Sequence, residues 1–66
     1  MKTVTVNGQP REVAASTAAE LVEELGLPAP TVLVEINGKA LHRSEWPTEA
    51  ISEGGVIEIL RVSAGG

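Results

Sequence analysis

The dipeptide Asn-Gly occurs twice, at residues 7–8 and 37–38, and each copy lies between segments in which apolar and polar residues alternate. Asn-Gly suits a type I′ turn, because both central residues of that turn need positive φ. Each dipeptide therefore predicts a β-hairpin. The predicted strands are residues 2–6 and 11–14 in the first hairpin and 31–36 and 39–41 in the second.

One helix is predicted between the two hairpins. Its apolar stripe follows the i, i+3, i+4, i+7 spacing of a helix that covers a core, and consists of Ala18, Leu21, Val22 and Leu25. Thr17 and Glu20 have the spacing of a capping box, in which the hydroxyl accepts from the Glu20 amide and the carboxylate reaches back. Ser16 is the alternative N-cap. Gly26 stands where a left-handed residue ends a helix.

A fifth strand is predicted at residues 56–62, with Ile57 and Ile59 on one face and Leu60 and Val62 on the other. The order β-β-α-β-β-β predicts an α+β fold of the β-grasp (ubiquitin-like) type, a mixed sheet of four to five strands with one helix packed across it. In that arrangement the first and last strands run parallel at the centre. Because Pro10 cannot donate a ladder hydrogen bond, the second strand is predicted at an edge.

The length of 66 residues allows one domain, which we place at residues 1–62, followed by a flexible tail at 63–66. There is no cysteine and no run near the roughly 20 apolar residues of a membrane span, so we expect a soluble cytoplasmic protein. The net charge is −4 and no Lys/Arg cluster offsets it, which argues against nucleic-acid binding. The acidity either only aids solubility or steers the chain toward a basic partner.

Residues that could carry catalysis are sparse. His42 is the only histidine, and no cysteine or aspartate accompanies it, so neither a metal site nor a catalytic triad is predicted. Trp46 is the only aromatic residue. It either anchors a partner or, as we expect, closes the open end of a thin core. We therefore predict that the chain is not an enzyme.

The one unusual chemical group is the carboxylate of Gly66. An ionised carboxylate is a poor electrophile, but a partner enzyme can activate it with ATP as an acyl adenylate. A Cβ on either of the last two residues would obstruct entry into a narrow active site, and Gly65 and Gly66 have none. Chain termini are usually loose, so Gly-Gly alone is also compatible with a tail of no function.

Four further features are distinctive together, namely STAAELVEELGL, VEINGKALHRSEW, the turn before VIEILRV and the final AGG. With the early Asn-Gly turn they resemble the ThiS family, the ubiquitin-like sulfur carriers of thiamine (thiazole) biosynthesis, over the whole chain. VEINGKALHRSEW is the most specific of them. The small subunit of molybdopterin synthase shares this fold and tail but is usually longer and lacks the N-G…R-S-E-W pattern. One departure is Gly55, where such carriers often have Asp after the turn glycine.

The resemblance implies that Gly66 carries the sulfur and that Gly65 gives the tail access. A ThiF-like adenylating enzyme would use ATP and Mg to adenylate the Gly66 carboxylate, and a persulfide sulfur donor would convert the adenylate into a thiocarboxylate. A ThiG-like thiazole synthase would then join the sulfur with a deoxyxylulose phosphate skeleton and dehydroglycine. The chain itself would be a co-substrate that binds no cofactor or metal.

Partner recognition needs a surface as well as a tail. Leu33, Leu60 and Val62 are apolar on the predicted sheet face opposite the helix, where polar residues would serve solubility, so we expect a docking patch for both partners. The alternative is that scattered exposed apolar residues are normal. Two other function classes remain open: a sulfur carrier for molybdenum cofactor, cysteine or tRNA thiolation, and a non-carrier binding module or protein modifier.

Overall fold

A computed structural model describes residues 1–62, so the predicted tail at 63–66 lies outside the described residues. The elements are β1 (Lys2–Val6), β2 (Gln9–Val13), α1 (Ala18–Glu24), β3 (Val32–Ile36), β4 (Lys39–Leu41) and β5 (Val56–Arg61), with 3₁₀ turns at Ala29–Thr31 and Arg43–Glu45. The strands form one sheet in the order β2-β1-β5-β3-β4. β1 and β5 are parallel and the other pairs are antiparallel. The predicted β-grasp topology is confirmed, including the edge position of β2.

Four predicted strand boundaries were wrong by one or two residues. The strand β2 ends at Val13 and not at residue 14, because the amides of Ala14 and Ala15 donate to the Glu24 carboxylate instead of a neighbouring strand. β2 begins at Gln9, because the two-residue turn lets pairing resume at once. β3 begins at Val32, since the preceding Ala29–Thr31 segment forms a 3₁₀ turn. β5 ends at Arg61, although the Val62 amide still donates to the Thr31 carbonyl at 2.7 Å.

Both Asn-Gly turns have the predicted backbone, with φ of 49° at Asn7 and 51° at Asn37. Their side chains also fasten the turns to the central strand β5. The Asn7 amide donates to the Ile59 carbonyl (3.0 Å) and accepts from the Ile59 N–H (2.7 Å), which continues the ladder beyond the end of β1. Asn37 only accepts, from the Val56 N–H at 2.9 Å.

This difference predicts unequal effects of the same substitution at the two turns. Asn7→Asp keeps the acceptor but replaces the donor, so a carboxylate oxygen would face the Ile59 carbonyl, and we expect a loss of about 1–3 kcal/mol in unfolding free energy. The control is Asn37→Asp, which keeps its one contact and should change stability by less than about 0.5 kcal/mol. Urea unfolding measures both. Equal losses would show that the turn residue type, and not the Ile59 contacts, sets the cost.

The helix is capped at both ends. The Thr17 hydroxyl accepts from the Glu20 amide at 3.2 Å, as predicted. The Glu20 carboxylate, however, accepts from the Ser16 N–H (2.8 Å) and not from the Thr17 N–H, so the capping box is not closed. Thr17 instead forms a β-bridge to Ala50. At the other end of the helix Gly26 has a φ of +69°. The Gly26 amide donates to the Glu23 carbonyl, and the amide of residue 27 donates to the carbonyl of residue 22. These are the two bonds of a Schellman motif.

The core lies between α1 and the inner face of the sheet. Its buried members from the strands and the helix include Val4, Val13, Ala18, Leu21, Val22, Val32, Val34, Ile36, Leu41 and Ile57. Trp46 is 4% exposed and joins this core, and its carbonyl accepts from the Ala19 amide at 3.1 Å. The expectation that Trp46 closes the end of the core is therefore confirmed. No helix within residues 1–62 is long and apolar enough to cross a membrane.

Candidate functional site

The end of β5 is the part of the described structure that directly precedes the predicted tail in sequence. β5 is the central strand, held by β1 on one side and by β3 on the other. Val62, the last described residue, is tied to Thr31 through its amide. Gly65 and Gly66, the predicted tail-access and sulfur-carrying residues, lie outside the described residues. Their roles remain predictions.

The predicted docking residues share the sheet face opposite the helix. Leu33, Leu60 and Val62 are 53%, 62% and 43% exposed. Leu33 of β3 lies directly opposite Leu60 of β5, and Val62 follows two residues later on the same face. The period of two that placed Ile57 inside and Leu60 outside thus holds in the structure. Their binding of a partner stays a prediction.

A shallow groove of about 350 Å³ runs over this face. Leu33, Ala40 and Leu60 supply its apolar lining, and Glu35 and Glu58 its carboxylates. The two glutamates stand directly opposite one another in the β3–β5 register. Sequence reasoning did not single them out. Strand alternation could have placed each on the outer face, but their opposition depends on the pairing of strands that are distant in sequence.

His42 and Gly55 both lie in the segment between β4 and β5. His42 is exposed, and its backbone N–H donates to the Glu45 carboxylate at 2.8 Å. Within residues 1–62 no group of three or more His, Cys, Asp or Glu side chains is placed to hold a metal. At Gly55 an added Cβ would lie 3.1 Å from the Ser52 carbonyl oxygen, so a larger residue fits this turn only if that carbonyl shifts.

The five-stranded mixed sheet, crossed by one helix and with its last strand at the centre, defines a ubiquitin-like protein of the β-grasp class. The comparisons with known proteins are more specific. The model of the ThiS family matches residues 4–66, which include both final glycines. The chain belongs to the ThiS family, and the resemblance found in the sequence is confirmed.

Relatives agree over nearly the full length of the chain. The sulfur carrier protein ThiS of Thermus thermophilus is 33% identical over 63 residues, which cover 96% of this chain and 98% of that protein. A crystal structure of the thiamine biosynthesis protein ThiS from Geobacter metallireducens is 34% identical with a TM-score of 0.81, covering 97% of this chain and 99% of that one. A solution structure of a thiamine biosynthesis protein from the same organism gives 31% identity and a TM-score of 0.78, covering 97% of this chain and 87% of that one.

Proposed function

We propose that this chain is a sulfur carrier for thiamine biosynthesis and that the carboxyl group of Gly66 carries the sulfur. The observation that supports this most is the ThiS family match, which extends through Gly66. The relative from Thermus thermophilus, similar over almost its whole length, is a sulfur carrier protein by name. In this role the chain is a co-substrate that partner enzymes act on, and its predicted place of work is the cytoplasm.

The chemistry follows from the need to make a carboxylate reactive. A ThiF-like enzyme with Mg-ATP joins the Gly66 carboxylate to AMP and releases pyrophosphate. The outer sulfur of a persulfide then attacks the carbonyl carbon and displaces AMP, which gives an acyl disulfide. A thiol then attacks the inner sulfur, the one that belongs to the donor, and the S–S bond of the acyl disulfide breaks. The thiol and the donor end as a disulfide, and the thiocarboxylate is released. A ThiG-like thiazole synthase takes up this sulfur, and the chain returns as the carboxylate.

The groups in these steps that belong to this chain are few. ATP and Mg are bound by the adenylating partner, and this chain contributes the acyl group and the surface that holds it in place. We include Leu33, Leu60 and Val62 in that surface, since they are exposed, adjacent and next to the tail. Docking there would fix the base of the tail while Gly65 and Gly66 reach the nucleotide.

The test of the proposed function is a reconstitution. The chain is incubated with the ThiF-like enzyme of the same organism, Mg-ATP and a persulfide donor with a thiol, and its intact mass is followed. The expected product has one oxygen replaced by sulfur, with the change in the fragment that contains Gly66. A chain that forms no adenylate and gains no sulfur under these conditions contradicts the proposal.

The docking role predicts a separation of binding from stability. The double variant Leu60→Ala with Val62→Ala should weaken binding to the adenylating enzyme about 10-fold or more, because each aliphatic side chain buried at the interface contributes roughly 1.5–3 kcal/mol. Both side chains are largely exposed in the isolated chain, so its unfolding midpoint should scarcely move. Titration calorimetry and urea unfolding measure the two quantities.

Val56→Ala is the matched control. Val56 lies on the same face of β5 and is 48% exposed, but it stands at the opposite end of the strand from the tail. It should leave the affinity unchanged. A docking patch at Leu60 and Val62 is contradicted if all three truncations weaken binding alike, or if the double variant loses stability instead of affinity.

A further inference from the structure

The five basic residues avoid the outer face of the sheet, the face opposite the helix. Four lie on strands and pair in register with buried core residues, so they point to the helix side: Lys2 with Val13, Arg11 with Val4, Lys39 with Ile36, and Arg61 with Val32. The fifth is Arg43, whose guanidinium lies 5.9 Å from the centroid of the Trp46 ring. Trp46 belongs to the core, and its carbonyl accepts a hydrogen bond from Ala19 in the first turn of α1. The Arg43 guanidinium therefore also lies beside the core.

The acidic residues have a different distribution. Glu12, Glu35 and Glu58 are strand residues that point to the outer face, since each alternates with a residue directed to the core side. Glu35 and Glu58 are direct neighbours across β3 and β5. Like charges at such positions repel. Among residues 1–62 the one ion pair is Lys39–Glu49 at 3.3 Å, so neither member of the Glu35–Glu58 pair is neutralised there.

The two carboxylates adjoin the apolar pair Leu33 and Leu60, which is the next outward-facing pair along the same two strands. Both pairs line the same groove, with Ala40 beside them. Leu33 and Leu60 thus form an apolar surface beside two carboxylates that have no ion-pair partner within residues 1–62. Such a surface fits a partner that presents a cation next to an aliphatic side chain. A guanidinium suits two carboxylates best, because it offers five donors in one plane.

We propose that Glu35 and Glu58 jointly receive an arginine of the adenylating partner, while an aliphatic neighbour of that arginine packs on Leu33 and Leu60. This rests on the proposed function, because it assumes that such a partner docks on the sheet. The glutamate pair then selects the partner. The repulsion between the carboxylates in the isolated chain is relieved on binding, and a surface without a cation at this point is rejected.

The test compares two double variants that carry the same net charge. Glu35→Gln with Glu58→Gln removes the pair, and Glu12→Gln with Glu23→Gln removes two exposed carboxylates outside the groove. With the purified ThiF-like enzyme of the same organism, the first variant should raise Kd by about 10-fold or more and lose most of the salt dependence of association. The second should stay within about twofold of the wild type.

Urea unfolding of the isolated chains shows whether the pair is structural. The Glu35→Gln, Glu58→Gln variant should be at least as stable as the wild type, because a repulsion has been removed. The inference is overturned if this variant binds as tightly as the Glu12→Gln, Glu23→Gln control, or if it is less stable than the wild type. Equal binding by both variants leaves the proposed function intact, whereas a wild-type chain that does not bind the enzyme contradicts both.

Discussion

Deletion of Gly66 is expected to abolish adenylation of the chain while the described domain keeps its fold. Without this residue the carboxylate is drawn back by ~3.5 Å, the reach of one extended residue. A reacting atom misplaced by about 1 Å already costs about 100-fold in rate, so the loss should be at least that large. ATP–pyrophosphate exchange by the ThiF-like enzyme measures the adenylation step directly.

Ser63→Ala serves as the control, because it alters the tail without changing its length or its final Gly-Gly. It should support exchange at close to the wild-type rate. Amide NMR spectra of the deletion variant should match those of the wild type over residues 1–62. Exchange at the wild-type rate without Gly66 would show that the reactive carboxyl group lies elsewhere.

Trp46→Ala is expected to cost about 3–5 kcal/mol of unfolding free energy, the usual range for a buried Trp replaced by Ala. A domain of this length has roughly 3–10 kcal/mol to lose, so a substantial fraction of the variant should be unfolded. The side chain is 4% exposed and packs in the main core. Because Trp46 is the only aromatic residue, unfolding has to be followed by circular dichroism rather than by fluorescence.

Trp46→Phe separates packing from hydrogen bonding. The indole Nε1 is buried and has no hydrogen-bond partner in the described part of the chain. Replacing the indole therefore breaks no hydrogen bond within residues 1–62. Phe retains most of the buried area, and we expect a cost below about 1.5 kcal/mol. If Trp46→Phe proved as damaging as Trp46→Ala, the N–H would be bonded in solution and the packing explanation would be wrong.

Local patterns were sufficient for most of the fold. Asn7-Gly8 and Asn37-Gly38 predicted their turns because only a few dipeptides tolerate two positive φ values in succession. The stripe of Leu21 and Val22 predicted the inner side of the helix. Alternation along β5 separated Ile57 from Leu60. Each of these signals is contained within a few consecutive residues.

The features that sequence reasoning missed depend on contacts between distant residues. Thr17, at the start of the helix, forms a β-bridge to Ala50. Asn7 reaches Ile59, which is 52 positions away. The opposition of Glu35 and Glu58 exists only once β3 and β5 have paired. None of these follows from propensity or spacing within one element.

The site was predicted in two different ways. The shared face of Leu33, Leu60 and Val62 came from alternation and is confirmed as geometry. The prediction of Gly66 depends instead on the scarcity of other candidate chemistry in the sequence and on the resemblance to the ThiS family, to which the chain belongs. The reaction proposed for Gly66 depends on residues 63–66 and on partner enzymes, which the fold of residues 1–62 does not test.

The central claim is that Gly66 carries sulfur, and the most direct measurement is the intact mass of the chain purified from its own cells. A fraction of the molecules should have one terminal oxygen replaced by sulfur, located by fragmentation to Gly66. That fraction should vanish from cells without the ThiF-like enzyme. A chain found only as the carboxylate in wild-type cells, and also after incubation with that enzyme, Mg-ATP and a sulfur source, would contradict the account.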